Sequence, residues 1–382
     1  GLSVDSFTWN EDERGYRQTL QEQAQNTVSA NISFNTAGRQ GGIFVRPLDQ
    51  ISPDDRILLQ AVARVIISDK KGTLADQLNK KSGAKNKMPP FIPSLGYNPL
   101  AEEALPVPER IFFNGFGGFS ASGHEYIITS KKETPAPWVN IIANKKLGTV
   151  ISERGSSYTW FENAHEYRLT PWHNDPVSDG GGEAFYIRDE RTGYFWSPMP
   201  FPAKGRNEYI IKHGFGYSVF ENLEAGIQTD AEVFVDTDAA IKFVIINLQN
   251  LSDDDRKLSL TGYVEWILGD LQAKTGMHII TEYDALTGTF FAYNNYNKEF
   301  EGRVCFFNTD EPVKNFTANR TEFLGRNGCL QKPEAMQKEK LSGKYGAGLN
   351  SCASLQMNFN LAHQEKKQII FRLGAAKNKN EA

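Results

Sequence analysis

Short apolar segments separated by turn residues run through most of the chain from Ile111 onward. Gly, Asn, Asp and Pro punctuate them, for example at Asn114-Gly115 and Asn327-Gly328. Because no long helical pattern intervenes, this spacing predicts a mainly β protein with a large β-sandwich. The predicted strands are 125–129, 138–143, 149–153, 184–187, 209–213, 216–221, 227–234, 242–248, 257–266, 289–293, 303–307, 353–359 and 367–373.

One of these strands has a clear pattern of burial. From Lys257 to Glu265 apolar and polar residues alternate. Successive side chains of a strand point to opposite faces of its sheet, so this alternation predicts one buried face and one solvated face.

The N-terminal part has a different pattern, which predicts a small helical lead-in. Ser52 is a candidate N-cap before Pro53 and two aspartates, and an amphipathic pattern continues to about Ser68. A second short helix is expected over 73–80, followed by a basic and then proline-rich linker over 80–93. The predicted divisions are a helical or extended lead-in at 1–95, the β-sandwich domain at 96–375 and a polar tail at 376–382.

Composition excludes several classes of partner. The 42 basic and 46 acidic residues give a net charge of −4, which argues against nucleic acid as a partner. The three cysteines form no CxxC pair and the histidines form no HExxH motif, so no metal is expected. With no long apolar run and no signal-peptide pattern, a cytoplasmic location is expected, which includes the cytoplasmic part of a bacterial inner-membrane protein.

Aromatic and polar residues concentrate between Tyr158 and Asp189. Aromatic rings cover the apolar face of a sugar ring, and fixed polar groups bond its hydroxyls, so this mixture indicates a carbohydrate site. Trp160, Arg168 and Trp172 are the main candidates for sugar contact. A Trp/Arg packing layer at a sheet edge explains the same residues equally well.

The same stretch contains carboxyl groups that a hydrolase would need as acids. Asp175, Asp179 and Glu183 are the candidates for that role. The favoured interpretation is that the two aspartates cap turns beside Pro176 and the following glycines.

Several motifs occur in the order found in one family. They begin at Phe113 (Phe-Asn-Gly-Phe-Gly-Gly-Phe-Ser), Leu169 (Leu-Thr-Pro-Trp-His-Asn-Asp-Pro-Val-Ser-Asp), Trp196 (Trp-Ser-Pro) and His213 (His-Gly-Phe-Gly-Tyr). The chain resembles the phosphorylase-like half of cyclic β-1,2-glucan synthases, which is related to the cellobiose and chitobiose phosphorylases. The resemblance covers residues of about 110–375 well and 45–80 more weakly.

The resemblance implies that catalysis belongs to a different domain from the sandwich. In this family an N-terminal sandwich precedes a helical linker and an (α/α)6 barrel, and the barrel carries the catalytic acid and most of the phosphate site. We expect that barrel to be absent from these 382 residues, so no catalytic residue is assigned. No cofactor is implied, since inorganic phosphate is a co-substrate of the parent enzyme.

The resemblance also implies that the loop matching Tyr167 to Asp175 lies at the sugar site. The expected substrate-binding residues are Trp160, Arg168, Trp172, His173, Asn174 and Asp175. The expected partners are a β-glucan oligosaccharide, the missing barrel and a second copy in a homodimer.

The sequence therefore predicts the β-sandwich part of a β-1,2-glucan-processing phosphorylase or synthase, which supports binding and assembly. The alternative is a stand-alone carbohydrate-binding or scaffold module. A sandwich made to carry a further domain should leave an apolar face uncovered, whereas a stand-alone module should be covered all round.

Overall fold

The computed structural model describes residues 5–10, 19–31, 42–79, 88–98 and 104–382. It separates the chain into two units, Gly1–Asn86 and Lys87–Ala382. The sequence-based division placed the boundary after residue 95. Within the described ranges, none of the helices has both the length and the apolar character needed to cross a bilayer.

The first unit combines two strands with short helices. Strands β1 (Ser6–Asn10) and β2 (Ile43–Pro47) pair in parallel, and the helices are α1 (Thr19–Asn31), α2 (Pro53–Val62) and α3 (Leu74–Asn79). Ser52 caps α2 by accepting a hydrogen bond from the backbone N–H of Asp55. The helix ends at Val62 and not near Ser68, because Ala63 is already extended and Val65-Ile66-Ile67 is a β-branched run that disfavours helix.

The second unit is built from eighteen strands and two short helices in its described part. The helices are α4 (Gln272–Thr275) and α5 (Arg320–Leu324). The strands are β3 (Gly117–Phe119), β4 (Glu125–Thr129), β5 (Val139–Ala143), β6 (Leu147–Ser152), β7 (Ser157–Phe161), β8 (Glu183–Asp189), β9 (Phe195–Trp196), β10 (Tyr209–Gly214), β11 (Tyr217–Glu224), β12 (Ile227–Val235), β13 (Ile241–Asn250), β14 (Arg256–Glu265), β15 (Ile279–Asp284), β16 (Thr289–Asn294), β17 (Val304–Thr309), β18 (Asn315–Asn319), β19 (Ser351–Leu361) and β20 (Lys366–Ala376).

These strands form three sheets. The largest has ten strands in the order β15-β16-β17-β20-β13-β12-β11-β10-β4-β3. The second has five, β18-β19-β14-β8-β9, and the third has three, β5-β6-β7. Strand β20 thus lies between β17 and β13 in the large sheet, while β19 lies between β18 and β14 in the second. The predicted mainly β sandwich is confirmed.

The main core lies between the ten-stranded and five-stranded sheets. Strands β12 and β13 bury alternate residues, which is the period expected of strands with one face on a core. Phe185 of β8 packs on Phe371 of β20 with ring centroids 5.0 Å apart. Gly262 of β14 leaves room for that ring, since a Cβ there would lie 2.5 Å from it.

The five-stranded sheet is covered on its other face as well, and this corrects one prediction. Strand β14 is buried at every position from Leu258 to Glu265 and has no solvated face. A second apolar cluster around Tyr186, Tyr263 and Phe323 covers that face, with α5 and the segment near Met336 contributing to it. The covering residues come from sequence far beyond β14, so its own alternation does not reveal them.

Candidate functional site

Strand β7 begins the aromatic stretch and has two distinct faces. Ser157 and Thr159 point inward, whereas Tyr158 and Trp160 lie on the opposite face, as alternation along a strand requires. The loop that follows crosses to β8 and returns near β7, where Trp172 forms an isolated β-bridge with Gly181.

Three rings come together on the outer face. The Tyr158 ring lies 5.4 Å from that of Trp160 and 4.7 Å from that of Trp172, measured between centroids. Trp160 lies over Gly148 of β6, where a Cβ would come within 2.2 Å of the indole. Trp172 is 36% exposed and Tyr158 only 8%, so Trp172 offers the more accessible ring to a ligand. We call Tyr158, Trp160 and Trp172 the aromatic face.

The apolar surface continues from the aromatic face onto the edge strand β5. Ile141 pairs with Val150 of β6, and Val150 pairs in turn with Tyr158. Ile141 is 65% exposed and Val139 is 46% exposed. The third sheet therefore presents a continuous outer face with unburied aliphatic side chains beside the aromatic face.

Arg168 is held next to this face mainly by backbone groups. Its main chain bridges Trp160 and Gly269, so it joins β7 to the segment after β14. The guanidinium donates from Nε to the Ala164 carbonyl at 3.2 Å and from Nη1 to the Asp270 carbonyl at 3.3 Å. Burial raises the pKa of Tyr158, and the positive charge of Arg168 offsets part of that effect.

His173, Asn174 and Asp175 form an exposed turn beyond the aromatic face. Asn174 has a positive φ of 49°. Asp175 accepts hydrogen bonds from the backbone N–H of Val177 at 2.9 Å and from the Ser178 hydroxyl at 2.5 Å. The bond from Ser178 lowers the pKa of Asp175. This carboxylate shapes the turn, as the turn-capping interpretation predicts.

The triple glycine that follows allows this loop to close. A Cβ at Gly182 would lie 2.2 Å from Pro171, and one at Gly181 would lie 2.6 Å from the Ser156 hydroxyl. By contrast, a Cβ at Gly180 would be no closer than 3.7 Å to any neighbour. The last two glycines are therefore required for close packing of the loop, whereas the first is not.

The two other candidate acids are buried. Asp179 is 9% exposed and accepts a 2.6 Å hydrogen bond from Ser152, while burial raises its pKa to about 6. Glu183 accepts from Lys242 Nζ at 2.7 Å, and both side chains are almost fully buried. Burial alone would raise the pKa of Glu183, but the Lys242 charge outweighs it and the pKa lies below its usual value.

A network of hydroxyl groups completes this ion pair and joins the three sheets. Thr159 and Thr170 each donate to Glu183 at 2.7 Å. Lys242 of β13 also donates to Thr149 of β6 at 3.0 Å. Because its bonds are satisfied within the protein, Glu183 is a structural carboxylate that ties the inner face of β7 to both larger sheets.

The structure thus brings Trp160, Arg168 and Trp172 together, and it places His173 to Asp175 in the adjoining turn. The sequence-based list omitted Tyr158, whose ring joins the two tryptophans. Its position two residues before Trp160 on a strand was the available signal. Among the residues that the structure describes, no group of three or more His, Cys, Asp or Glu side chains could hold a metal ion.

Two facing sheets define a large β-sandwich, and the third sheet places the aromatic face beside Arg168. The sequence profile of the family described as "Glycosyl hydrolase 94, supersandwich domain" matches residues 124–382. The chain belongs to this family.

Named relatives agree with that assignment and confirm the resemblance drawn from the sequence motifs. The chain is 30% identical to the cyclic beta-(1,2)-glucan synthase NdvB of Rhizobium meliloti (strain 1021), over 100% of this chain and 14% of the synthase. It is 29% identical to the N,N'-diacetylchitobiose phosphorylase of Vibrio furnissii, over 70% of this chain and 34% of that enzyme. It is 26% identical to the solabiose phosphorylase of Paenibacillus borealis, over 69% of this chain and 35% of that enzyme. The chain therefore spans about a third or less of each of these relatives.

Proposed function

We propose that this chain is the β-sandwich part of a β-1,2-glucan-processing phosphorylase or cyclic glucan synthase, and that it contributes carbohydrate binding and assembly. The observation that carries the proposal is the aromatic face beside Arg168, on a chain of the glycosyl hydrolase 94 supersandwich family. The synthase relative supports β-1,2-glucan as the substrate class, because it matches the whole chain whereas the two phosphorylases match 69–70% of it.

We assign the sugar contacts to the exposed Trp172 ring, to Trp160 and to Arg168. The rings offer apolar faces to a glucosyl unit, while the guanidinium retains N–H donors for its hydroxyls. The turn containing His173, Asn174 and Asp175 contributes the rim, since these side chains are exposed beside Trp172.

Phosphorolysis, under this proposal, belongs to an (α/α)6 barrel, with inorganic phosphate as co-substrate. Two carboxyl groups near the aromatic face have structural contacts, which supports a catalytic acid in the barrel. Asp175 accepts hydrogen bonds within its own turn, and Glu183 is buried in an ion pair with Lys242. The uncovered aliphatic surface of β5 favours a role in assembly over the stand-alone module, because an independent module would cover such residues.

The binding test uses linear β-1,2-gluco-oligosaccharide and isothermal titration calorimetry. Trp172→Ala and Arg168→Ala should each weaken binding at this site by about five- to tenfold, with little change in melting temperature. Phe215→Ala and Arg326→Ala are matched controls, since both residues are exposed and lie elsewhere on the second unit. A large fall in melting temperature with unchanged affinity would assign Trp172 and Arg168 to packing instead.

The activity test incubates the chain with the same oligosaccharide and inorganic phosphate. We expect no release of glucose 1-phosphate, since the proposal places the catalytic acid outside these residues. Glucose 1-phosphate release that persists after repurification, and that Asp179→Asn abolishes, would contradict the placement of the catalytic acid outside these residues. Asp179 is the residue to test because it is a buried acid with a raised pKa.

A further inference from the structure

An open cavity of about 560 Å³ lies in the second unit, and its lining includes no residue of the aromatic face. Its wall is formed by Trp266 directly after β14, by α4 with the residues that follow it, by Arg320 at the start of α5, and by the segment before β19. A cavity of this volume falls within the range of small-ligand sites. The function proposed above does not use it.

Glu265 organises two polar groups on the wall of this cavity. It is 5% exposed, and it accepts from Gln272 Nε2 at 2.7 Å and from Arg320 Nε at 2.7 Å. Because the amide nitrogen of Gln272 is held in this way, its Oε1 remains available as an acceptor. Arg320 keeps 34% of its side chain exposed, and its terminal nitrogens supply donors at the cavity.

The charge of this cavity favours an uncharged ligand. The positive charge of Arg320 is balanced by Glu265 behind it, and Arg320 is the only charged residue on the wall as the structure describes it. The remaining lining combines Asn350 and Ser351 with the apolar side chains of Met277 and Leu349, while the fully buried Trp266 forms the floor behind them. A phosphate or carboxylate would need an unpaired cation, whereas this arrangement pairs donors and acceptors beside apolar surface.

We propose that the cavity lined by Gln272, Met277, Arg320 and Asn350 is a second carbohydrate site, which binds a neutral saccharide of one or two hexose units. Vicinal hydroxyls provide the donors and acceptors that Arg320, Gln272 and Asn350 match, and the apolar lining accommodates the C–H face of the ring. This site shares its ligand class with the proposed function but shares no side chain with the aromatic face.

The test compares calorimetric titrations of linear β-1,2-gluco-oligosaccharide into the full chain and its variants. Ala273 lines the cavity and is exposed, so Ala273→Trp should place an indole ring across part of the cavity and leave the fold intact, which a melting curve verifies. We expect two molecules bound per wild-type chain and one per Ala273→Trp chain. Asn350→Ala should weaken the second site by about fivefold. Asn360→Ala is the matched control, because Asn360 is an exposed amide on β19 outside the cavity.

The outcomes separate this proposal from the function proposed above. Unchanged binding by Ala273→Trp would overturn the second site, whatever the aromatic-face variants do. If Ala273→Trp reduces oligosaccharide binding and Arg168→Ala leaves it unchanged, the result would support the cavity as a sugar site. It would contradict the assignment of sugar binding to the aromatic face. Inorganic phosphate that displaces the oligosaccharide from Arg168→Ala chains would also overturn the proposal, because the cavity would then be an anion site.

Discussion

Asp179 and Glu183 are both buried, but their surroundings move their pKa values in opposite directions. Glu183 has a cation and three hydroxyl donors, which together outweigh the cost of burial. Asp179 has hydroxyl neighbours but no ion pair, so burial dominates and its pKa rises to about 6. Carboxyl groups four positions apart in the sequence therefore have opposite effects on stability as the pH changes.

The raised pKa of Asp179 gives a pH-dependent prediction. Between its unfolded value near 4 and its folded value of about 6, the folded state binds more protons, so this group makes the protein less stable as the pH rises. The change in unfolding free energy caused by Asp179→Asn should therefore be more stabilising at pH 7.5 than at pH 4, by roughly 1–2 kcal/mol. Urea midpoints of variant and wild type at both pH values provide the measurement. The control Asp253→Asn changes an exposed aspartate and should show no difference between the two pH values. An equal effect of Asp179→Asn at both pH values would refute a raised pKa for Asp179.

The Glu183–Lys242 pair gives a prediction about stability. Lys242→Met leaves a buried carboxylate without its cation, which should cost about 3–5 kcal/mol in unfolding free energy. Lys212→Met removes the more exposed pair with Glu221 and should cost about 1 kcal/mol or less. Chemical denaturation of both variants gives the comparison, and Glu183→Gln added to Lys242→Met should recover part of the loss. Equal losses from the two lysine variants would show that burial of the pair is unimportant.

At the scale of elements, the loop between β7 and β8 depends on glycines that approach neighbouring chain segments. Gly182→Ala should clash with Pro171, lower the unfolding free energy by about 1–3 kcal/mol and weaken oligosaccharide binding by displacing Trp172. Gly180→Ala, two positions earlier, is the matched control. It should be tolerated because a Cβ at this position has room. Thermal melting and calorimetry measure both effects. Similar behaviour of the two variants would mean that the loop adjusts freely.

Much of the sandwich is predictable because its strands alternate over one core. β12 and β13 are examples, since their buried residues occupy every second position. Strand β7 was not predicted, although it carries Tyr158 and Trp160, because Ser157 to Phe161 is dense in aromatic residues and resembles a binding loop. Its place as a strand depends on pairing with β6, which is a tertiary contact that the local pattern does not contain.

The candidate site was predictable to a similar extent. The clustering of Trp160, Arg168 and Trp172 in sequence matched their proximity in space, because a short loop joins them to one strand. The cavity beside Trp266 was not predictable, since Gln272, Arg320 and Asn350 come from segments far apart in the chain. The pairing of β14 with β19 brings the first and last of these segments together.

At the scale of the whole molecule, the exposed surface of the third sheet should affect association. Ile141→Lys places a charge on this apolar surface and should reduce concentration-dependent self-association. Sedimentation velocity over a range of protein concentrations measures the effect. Leu286→Lys is the control, because Leu286 is 97% exposed in the turn between β15 and β16. The homodimer that the family resemblance implies should persist in Leu286→Lys. Self-association that Ile141→Lys leaves unchanged would place the interface elsewhere.

The position of β19 and β20 has a consequence for how the protein is made. These late strands lie inside both large sheets, and β20 pairs with β13 across more than a hundred intervening residues. During translation, β13 and β14 leave the ribosome after their partners β12 and β8 but long before β20 and β19, so one edge of each strand has no partner for that time. The sandwich can close only when residue 376 has emerged, and until then the unpaired strand edges of the nascent chain favour aggregation.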